Sequence, residues 1–545
     1  MSVATLAIGD DGLLRGLDPK PIPYGLPTIA ALIDDLSGDA PALVDAGAML
    51  TYGELAYSVR AASAALQAIG LQQGDRIAAS CTNHNALIIA FLASQRLGLI
   101  WVGVNRVLAT PEKCMQLVDC GARMLLADAQ TAEEVAAERH RLPALERIFT
   151  TGVDPDAGWP AMIAAHRGKD AERPPIDRLA PAAISYTSGT TGLPKGAVHT
   201  QHSIMTFVNA GVYSGRGGVW ELGLRRSVSI ALTILNGMTN GPLAALASGG
   251  CFVSMDRTDA AGIAEWIERA GIEVLCCTPP TVRDILTKPE LQDRCITSLR
   301  FVMAGGAAGA AELRALFKAR IGSEMIDEYG LTEAPSGVAG SRFDALPPKG
   351  TVGWLYPHIE VAALDGHAHP LPEGAVGEIG IRAQQAGAWA GVFTGMIGYW
   401  HKPAETEATL RRGWLCTGDL GLVDANGQLS IVGRIKELII RGGANIYPGE
   451  IERVLRAIDE VEDAVVMGMP DQRLGEIVCG FVKLRAPANA EDGLADRLAI
   501  ACERELARFK VPERWFVVDD IPRNAMNKPN RALLMAWPRR ELTRS

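Results

Sequence analysis

Two common arrangements of reactive side chains are missing from this chain. Its ten cysteines include no C-x-x-C pair, and its nine histidines include no H-x-x-x-H spacing. Cys276 and Cys277 are adjacent, which is not metal-ligand spacing. The cysteines therefore read as small buried hydrophobes in a reducing, cytoplasmic compartment. Long blocks of like charge are also absent, and the net charge is -9. Without a basic patch, no nucleic-acid partner is expected. Residues 1–18 lack a basic start followed by an apolar core, so no signal peptide is predicted. The most membrane-like run, residues 86–104, carries Gln95 and Arg96 near its middle. A central arginine costs about 2.5–3.5 kcal/mol on insertion scales, so no integral membrane segment is expected. The same run predicts a buried helix over 85–96 and a strand over 99–104, broken at Gly98.

What is present is an ordinary globular composition, 48% hydrophobic and 21% charged over 545 residues. That length corresponds to three or four domain-sized units at about 150 residues each. Helical and strand patterns alternate: a helix over 52–69, a strand over 74–80, then the helix and strand just described. Such alternation predicts α/β layers with largely parallel sheets. No internal repeat interrupts it. Pro/Gly punctuation at 152–175, 344–350 and 365–377 marks loops or seams. The last hundred residues differ. Ile451, Val454, Leu455 and Ile458 share one helical face, and 464–467, 477–483 and 515–518 read as strands. Leu494, Leu498, Cys502 and Leu506 mark a further helix. The expected fold is α/β, with a large N-terminal domain of layered α/β subdomains (1–435) and a small mobile C-terminal α+β domain (436–545).

The strongest motif is residues 186–196, Y-T-S-G-T-T-G-L-P-K-G. A strand-like run over 182–186 feeds a loop of Gly, Ser and Thr that ends in Lys195. Glycines let backbone N–H groups converge on an anion, hydroxyls add donors, and Lys195 adds a point charge suited to phosphate. It is not G-x-x-x-x-G-K-[ST], because Gly follows Lys195. A polar hairpin would read the same way. Residues 327–333, D-E-Y-G-L-T-E, read on their own as an ordinary loop. Gly305-Gly306-Ala307 follows a strand-like 299–304, at the strand end where open α/β sheets bind ligands. Thr417-Gly418-Asp419 precedes Gly433-Arg434 and reads on its own as a turn. Arg441-Gly442-Gly443-Ala444-Asn445-Ile446-Tyr447-Pro448 contains two glycines that let a thin ligand pass close to backbone. It also reads as a glycine turn between a strand and a helix.

Taken together and in order, these motifs resemble the adenylate-forming superfamily of acyl-CoA synthetases, peptide-synthetase adenylation domains and firefly luciferase. The resemblance runs from the helix at residue 52 to Lys528. It implies ATP binding by Thr187, Ser188, Gly189, Thr190, Thr191, Gly192 and Lys195, and by Gly305, Gly306 and Ala307. It also implies nucleotide contacts from Asp327, Glu328, Tyr329, Gly330, Leu331 and Thr332, with Tyr329 on adenine, Thr332 on phosphate and Glu333 on Mg2+. Asp419 would hold the ribose hydroxyls, and Arg434 the ribose or phosphate. Arg441, Gly442 and Gly443 resemble the coenzyme A (CoA) passage of the acyl-CoA ligase branch. Lys528 follows Pro522-Arg523-Asn524 and matches the catalytic lysine, although Asn527 and Pro529 replace the flanking Gly and aliphatic residue. Thr332 and Lys528 are the implied catalytic pair, and Lys436 matches the hinge.

Residues 231–237, A-L-T-I-L-N-G, match the acyl-pocket segment, giving Ile234, Asn236 and Gly237. Ile234 stands where the family usually has His or an aromatic. No histidine is assigned a catalytic role; His199 and His202 are expected to face solvent or core. The implied reaction joins a small-molecule carboxylic acid to CoA through an acyl-adenylate, using ATP, CoA and Mg2+. Two alternatives remain: an adenylating enzyme that loads a carrier protein, and a catalytically silent binding protein. Small residues at 304–311 and 336–340 leave room for an aryl, alicyclic or acyl group. The lack of obvious cations argues mildly against dicarboxylates. The oligomeric state is open, a homodimer being one option.

Overall fold

The computed structural model describes residues 7–152, 154, 156–187, 194–213, 221–305, 311–342, 347, 348, 350–485, 493–524 and 528–542, with backbone alone at 305, 311, 312, 335 and 336. It divides into two compact units. One comprises Met1–Val361, Gly380–Thr417 and Asn426–Leu429; the other comprises Ala362–Ile379, Gly418–Ala425 and Ser430–Ser545.

The first unit contains a seven-stranded sheet. Its spatial order is Gly398–Tyr399, Lys195–Thr200, Pro181–Thr187, Ile100–Gly103, Arg76–Ser80, Met124–Ala127 and Arg147–Thr150. From Pro181–Thr187 outward through Arg147–Thr150 the strands are parallel. Fully buried runs such as Met124–Ala127 explain this, because both faces of a parallel sheet are covered and alternation disappears. Lys195–Thr200 turns back antiparallel on Pro181–Thr187 and pairs antiparallel with Gly398–Tyr399.

A second sheet in the same unit runs Met49–Thr51, Pro41–Val44, Cys251–Val253, Arg225–Val228, Val274–Cys277, Phe301–Gly305, Met325–Leu331, Ala334–Gly340 and Gly353–Leu355. It is parallel from Pro41–Val44 to Met325–Leu331.

Local chemistry sets the helices. Tyr52–Ala68 begins at a reciprocal cap, with Glu54 N–H on Thr51 Oγ1 (3.2 Å) and Thr51 N–H on Glu54 Oε2 (2.8 Å). The long apolar run resolves as expected into helix Asn85–Arg96 and strand Ile100–Gly103, separated at Gly98, whose φ is +67°. Arg96 is buried and forks onto Asp170 at 2.7 and 3.0 Å. No helix among the described residues is long and apolar enough to cross a membrane.

The second unit is α+β. Its sheet runs Ala444–Ile446, Ile439–Arg441, Gly475–Leu484, Arg514–Val517 and Arg540–Leu542, with Val461–Asp471 also paired to Gly475–Leu484. Helices Pro448–Arg456 and Leu494–Glu505 bury Ile451, Val454, Leu455, Leu498 and Cys502 in a cluster with Trp515. Leu534, from helix Arg531–Ala536, lies in a second cluster with Phe481 and Phe516.

Candidate active site

The glycine-rich segment is flanked by two antiparallel strands, Pro181–Thr187 and Lys195–Thr200. Thr187 ends one strand and pairs with Lys195, which begins the next. Ser188, Gly189, Thr190, Thr191 and Gly192 lie outside the described residues, as do Gly306 and Ala307. This strand pair is firmly held. Tyr186 donates its hydroxyl to Asp119 at 2.5 Å, and burial, with Cys120 and Asp119 acting in the same direction, pushes that phenol far above its usual pKa.

Lys195 does not stand alone. Its Nζ lies 4.7 Å from the centre of the Tyr399 ring, inside cation–π range. The Tyr399 hydroxyl donates to Glu333 Oε1 at 2.7 Å. The Glu333 carbonyl accepts the Met396 N–H at 2.7 Å. Tyr399 is buried; desolvation first and Glu333 second raise its pKa, so it remains a neutral donor. One aromatic side chain thus joins the lysine of the first motif to the acid of the second. Tyr399 belongs to none of the sequence motifs. Its strand position opposite Ala197 is set by sheet pairing, which no local pattern announces.

The D-E-Y-G-L-T-E heptad is not a loop. Asp327, Glu328, Tyr329, Gly330 and Leu331 lie on the strand Met325–Leu331; Thr332 and Glu333 form the turn into Ala334–Gly340. The return strand pairs Tyr329 with Ala339 and Gly330 with Gly337, with irregular register around Gly330. Gly305 is the parallel neighbour of Glu328, so the third motif adjoins the second through the sheet. The Asp327 carboxylate pairs inward with Arg314. Glu328 Oε1 accepts the Tyr356 hydroxyl at 2.8 Å. A side chain at Gly337 would strike that pair, its Cβ lying 2.1 Å from Glu328 Oε1.

The acyl-pocket candidates meet the seven-stranded sheet. Ile234 precedes the short helix Leu235–Met238, which contains Asn236 and Gly237. Thr233 O would lie 1.6 Å from a Cβ at Gly103, so only glycine admits this approach. Gly103 neighbours Ser185 on the strand that carries the glycine-rich motif. Asn83 clamps the segment, donating to Ile230 O (3.1 Å) and accepting Leu232 N–H (2.8 Å). On the strand that feeds this segment, Arg226 is fully buried, and burial lowers its pKa to about 10. A lone strand arginine forms no motif in the sequence, so only the sheet reveals this cation. His199 and His202 are core residues; burial takes their pKa values to about 3 and about 4.

The second unit holds the remaining candidates. Asp419 is buried and pairs with Arg434 Nε at 2.9 Å, while the neighbouring Gly418 N–H donates to Glu378 at 3.0 Å. Lys436 is exposed in the tight turn Ile435–Glu437. Gly442 and Gly443 form the turn between Ile439–Arg441 and Ala444–Ile446, with φ of +57° and +87°. Two consecutive positive φ values are what a two-residue hairpin turn needs. Arg441 pairs with Glu513. The Lys528 backbone is tied to Asn524: Asn524 N–H donates to Lys528 O at 2.8 Å, and Lys528 N–H donates to the Asn524 side-chain Oδ1 at 3.0 Å.

Known proteins share this organisation. The AMP-binding enzyme family matches residues 35–395, and the AMP-binding enzyme C-terminal domain matches residues 450–528. The chain is 32% identical over 504 residues to a fatty acid–acyl-carrier-protein ligase of Streptomyces coeruleorubidus, covering 90% of this chain and 91% of that protein. It is 30% identical to an indoleacetate–CoA ligase of Aromatoleum aromaticum, covering 88% and 91% respectively. The crystal structure of ATP-bound MatB from Rhodopseudomonas palustris superposes with a TM-score of 0.82 at 26% identity, covering 94% of this chain and 98% of that one. The chain belongs to the AMP-binding enzymes of the adenylate-forming superfamily, in its acyl-CoA ligase branch.

Proposed function

We propose that this enzyme is an AMP-forming acid–thiol ligase that activates a small carboxylic acid with ATP and passes the acyl group to CoA. A carboxylate is a poor electrophile, because it is charged and lacks a leaving group. Attack of its oxygen on the α-phosphorus of ATP gives an acyl-adenylate and releases pyrophosphate. Attack of the CoA thiolate on the acyl carbon then expels AMP. The observation that carries this reading is the Lys195–Tyr399–Glu333 series, in which a cation and an acid are preset by one buried ring.

Fixed charges of this kind lower a phosphoryl barrier by positioning and by stabilising developing charge. In this reading Lys195, Thr187 and residues 188–192 bind the phosphates, and Thr332 adds a hydroxyl. Tyr329, with Gly305, Gly306 and Ala307, flanks adenine, with Asp327, Glu328, Gly330 and Leu331 shaping that wall. Asp419 and Arg434 hold the ribose. Ile234, Asn236 and Gly237 border the acyl group.

Glu333 is the proposed Mg2+ ligand. No group of three or more His, Cys, Asp or Glu able to hold a metal ion occurs among the described residues. A single carboxylate suits Mg2+, which keeps waters and takes phosphate oxygens rather than an all-protein cage. When bound, the ion supplies charge neutralisation at those oxygens.

The working domain division is 1–435 and 436–545, with Lys436 as the hinge. Lys528 neutralises the approach of carboxylate to α-phosphate in the first step. Arg441, Gly442 and Gly443 border the pantetheine arm in the second. A carrier protein as acyl acceptor is the second reading, raised by the likeness to a carrier-protein ligase, while the CoA ligases among the relatives support the first. The test is an acid panel (phenylacetate, ferulate, octanoate, malonate) read by ATP–pyrophosphate exchange, then thioester formation with CoA or a phosphopantetheinylated carrier. Thioester with CoA supports the first reading. Thioester only with the carrier replaces it, and failure of exchange with every acid counts against both.

A further inference from the structure

We infer that Arg531 and Glu437 couple the hinge segment to the loop that carries Lys528; this rests on the reading of Lys528 as the residue of the adenylation step. Arg531 stands three residues after Lys528, and Glu437 directly follows Lys436. Ninety-four positions apart in sequence, they meet at 3.1 Å, Arg531 Nη2 to Glu437 Oε2. The same guanidinium pairs with Glu452 Oε1 at 3.0 Å and donates to Val466 O at 2.6 Å.

Glu452 is nearly buried for a carboxylate. It also accepts the Val466 N–H at 2.9 Å and pairs with Arg456 at 3.4 Å. Arg456 continues to Asp463 at 2.9 Å, and Asp463 pairs with Arg523. The series Glu437, Arg531, Glu452, Arg456, Asp463, Arg523 therefore starts beside the hinge and ends on the far side of Lys528. Backbone bonds close the loop between its two arginines: Asn530 N–H to Pro522 O at 2.7 Å, with Arg523 bridged to Pro529.

The geometry gives each end a distinct job. Arg523 fixes the start of the Lys528 segment to Val461–Asp471, the strand that contains Asp463. Arg531 fixes its end to Pro448–Arg456, the helix that contains Glu452, and to Glu437. Planar guanidinium forks hold direction as well as distance, which a flexible lysine would not. The contact with Glu437 is the one bond of the series that reaches the hinge segment. It makes Arg531 and Glu437 positioning residues, acting through the placement of the Lys528 ammonium.

The decisive variant is Glu437→Ala, which removes the hinge end and leaves Glu452, Val466 and Arg456 satisfied. Hydrogen exchange of the full chain is measured over peptides spanning 522–531, with Glu460→Ala as the control for loss of a surface pair (Glu460 with Arg497, 3.0 Å). Glu437→Ala should speed exchange over 522–531, and Glu460→Ala should not. Adenylation is read with the best acid of the panel above. Its kcat should fall about ten- to a hundred-fold, because small misplacement of a catalytic group has that effect, while KM for ATP and acid stay within about twofold. Thioester formation from supplied acyl-AMP should be preserved, and Glu437→Asp should partly restore the exchange rate. Arg531→Met should reproduce the effect if it folds.

Unchanged hydrogen exchange over 522–531 overturns the coupling. So does unchanged adenylation when Lys528→Ala abolishes it, or an equal loss in both half-reactions. Intact adenylation in Lys528→Ala removes the reading on which the inference rests; the hydrogen-exchange comparison then decides the coupling alone.

Discussion

Replacing Tyr399 by phenylalanine separates two functions that one side chain performs. The ring remains, so the contact with Lys195 Nζ at 4.7 Å remains. The hydroxyl goes, and with it the 2.7 Å bond to Glu333. A hydrogen bond to a charged group is worth about 1.5–3 kcal/mol, or roughly ten- to a hundred-fold in an equilibrium constant. The loss falls on Glu333, whose carboxylate is no longer aimed. Tyr399→Phe should therefore raise the Mg2+ concentration for half-maximal pyrophosphate exchange by about tenfold or more. Binding of Mn2+ with a non-hydrolysable ATP analogue, followed by spin resonance, should weaken in parallel without any turnover. Tyr399→Leu also removes the cation–π contact, worth about 0.5–2 kcal/mol, and should raise KM for ATP as well. The reasoning fails if Tyr399→Phe leaves both metal readouts at the parent value while Glu333→Gln disturbs them. It also fails if Phe and Leu are equally impaired.

Four further outcomes follow from the same geometry. Gly103→Ala drives a methyl group into Thr233 O; overpacking of this kind costs about 1–3 kcal/mol, and KM for the acid should rise more than KM for ATP. Asp419→Ala should weaken ATP binding about ten- to a hundred-fold by calorimetry, with little change for the acid. Lys436→Pro, if the residue's φ is near -65°, should still release pyrophosphate yet fail to form thioester; equal losses in both half-reactions, or none, would defeat the hinge assignment. Acid should destabilise the fold through His84, His199 and His202, whose pKa values burial lowers to about 4, 3 and 4. The folded state resists protonation that the unfolded chain accepts below pH 6.5, so their contribution is present above 6.5 and lost as pH falls through about 4 for His84 and His202 and about 3 for His199. Melting temperatures across that range should drop, and less steeply in His202→Asn.

The motifs were legible because each is a contiguous run that needs no partner to be recognised. Glycine, hydroxyl and lysine in residues 186–196 already carry the chemistry of anion binding. Apolar periods likewise announce Tyr52–Ala68 and Pro448–Arg456, since burial of one face is written at helical spacing, and a continuous apolar run announces the buried helix Asn85–Arg96. The 327–333 segment was harder. Its glycine and polar residues suggest a loop, yet pairing with Phe301–Gly305 and Ala334–Gly340 holds most of it as a strand. Order along the chain was enough to indicate the family and, through it, the reaction class.

What the sequence could not express is which distant residues complete those motifs. Tyr399 reaches Glu333 across 66 positions, and Arg531 reaches Glu437 across 94. Gly103 is an unremarked strand glycine until Thr233 O is seen above it. Arg226 is one of many arginines until the sheet buries it. Local pattern determined the elements, the motifs and their order, because propensity and periodicity act over a few residues. Tertiary packing alone decided the pairings between motifs, because sheet register and burial bring together side chains that have no sequence relation.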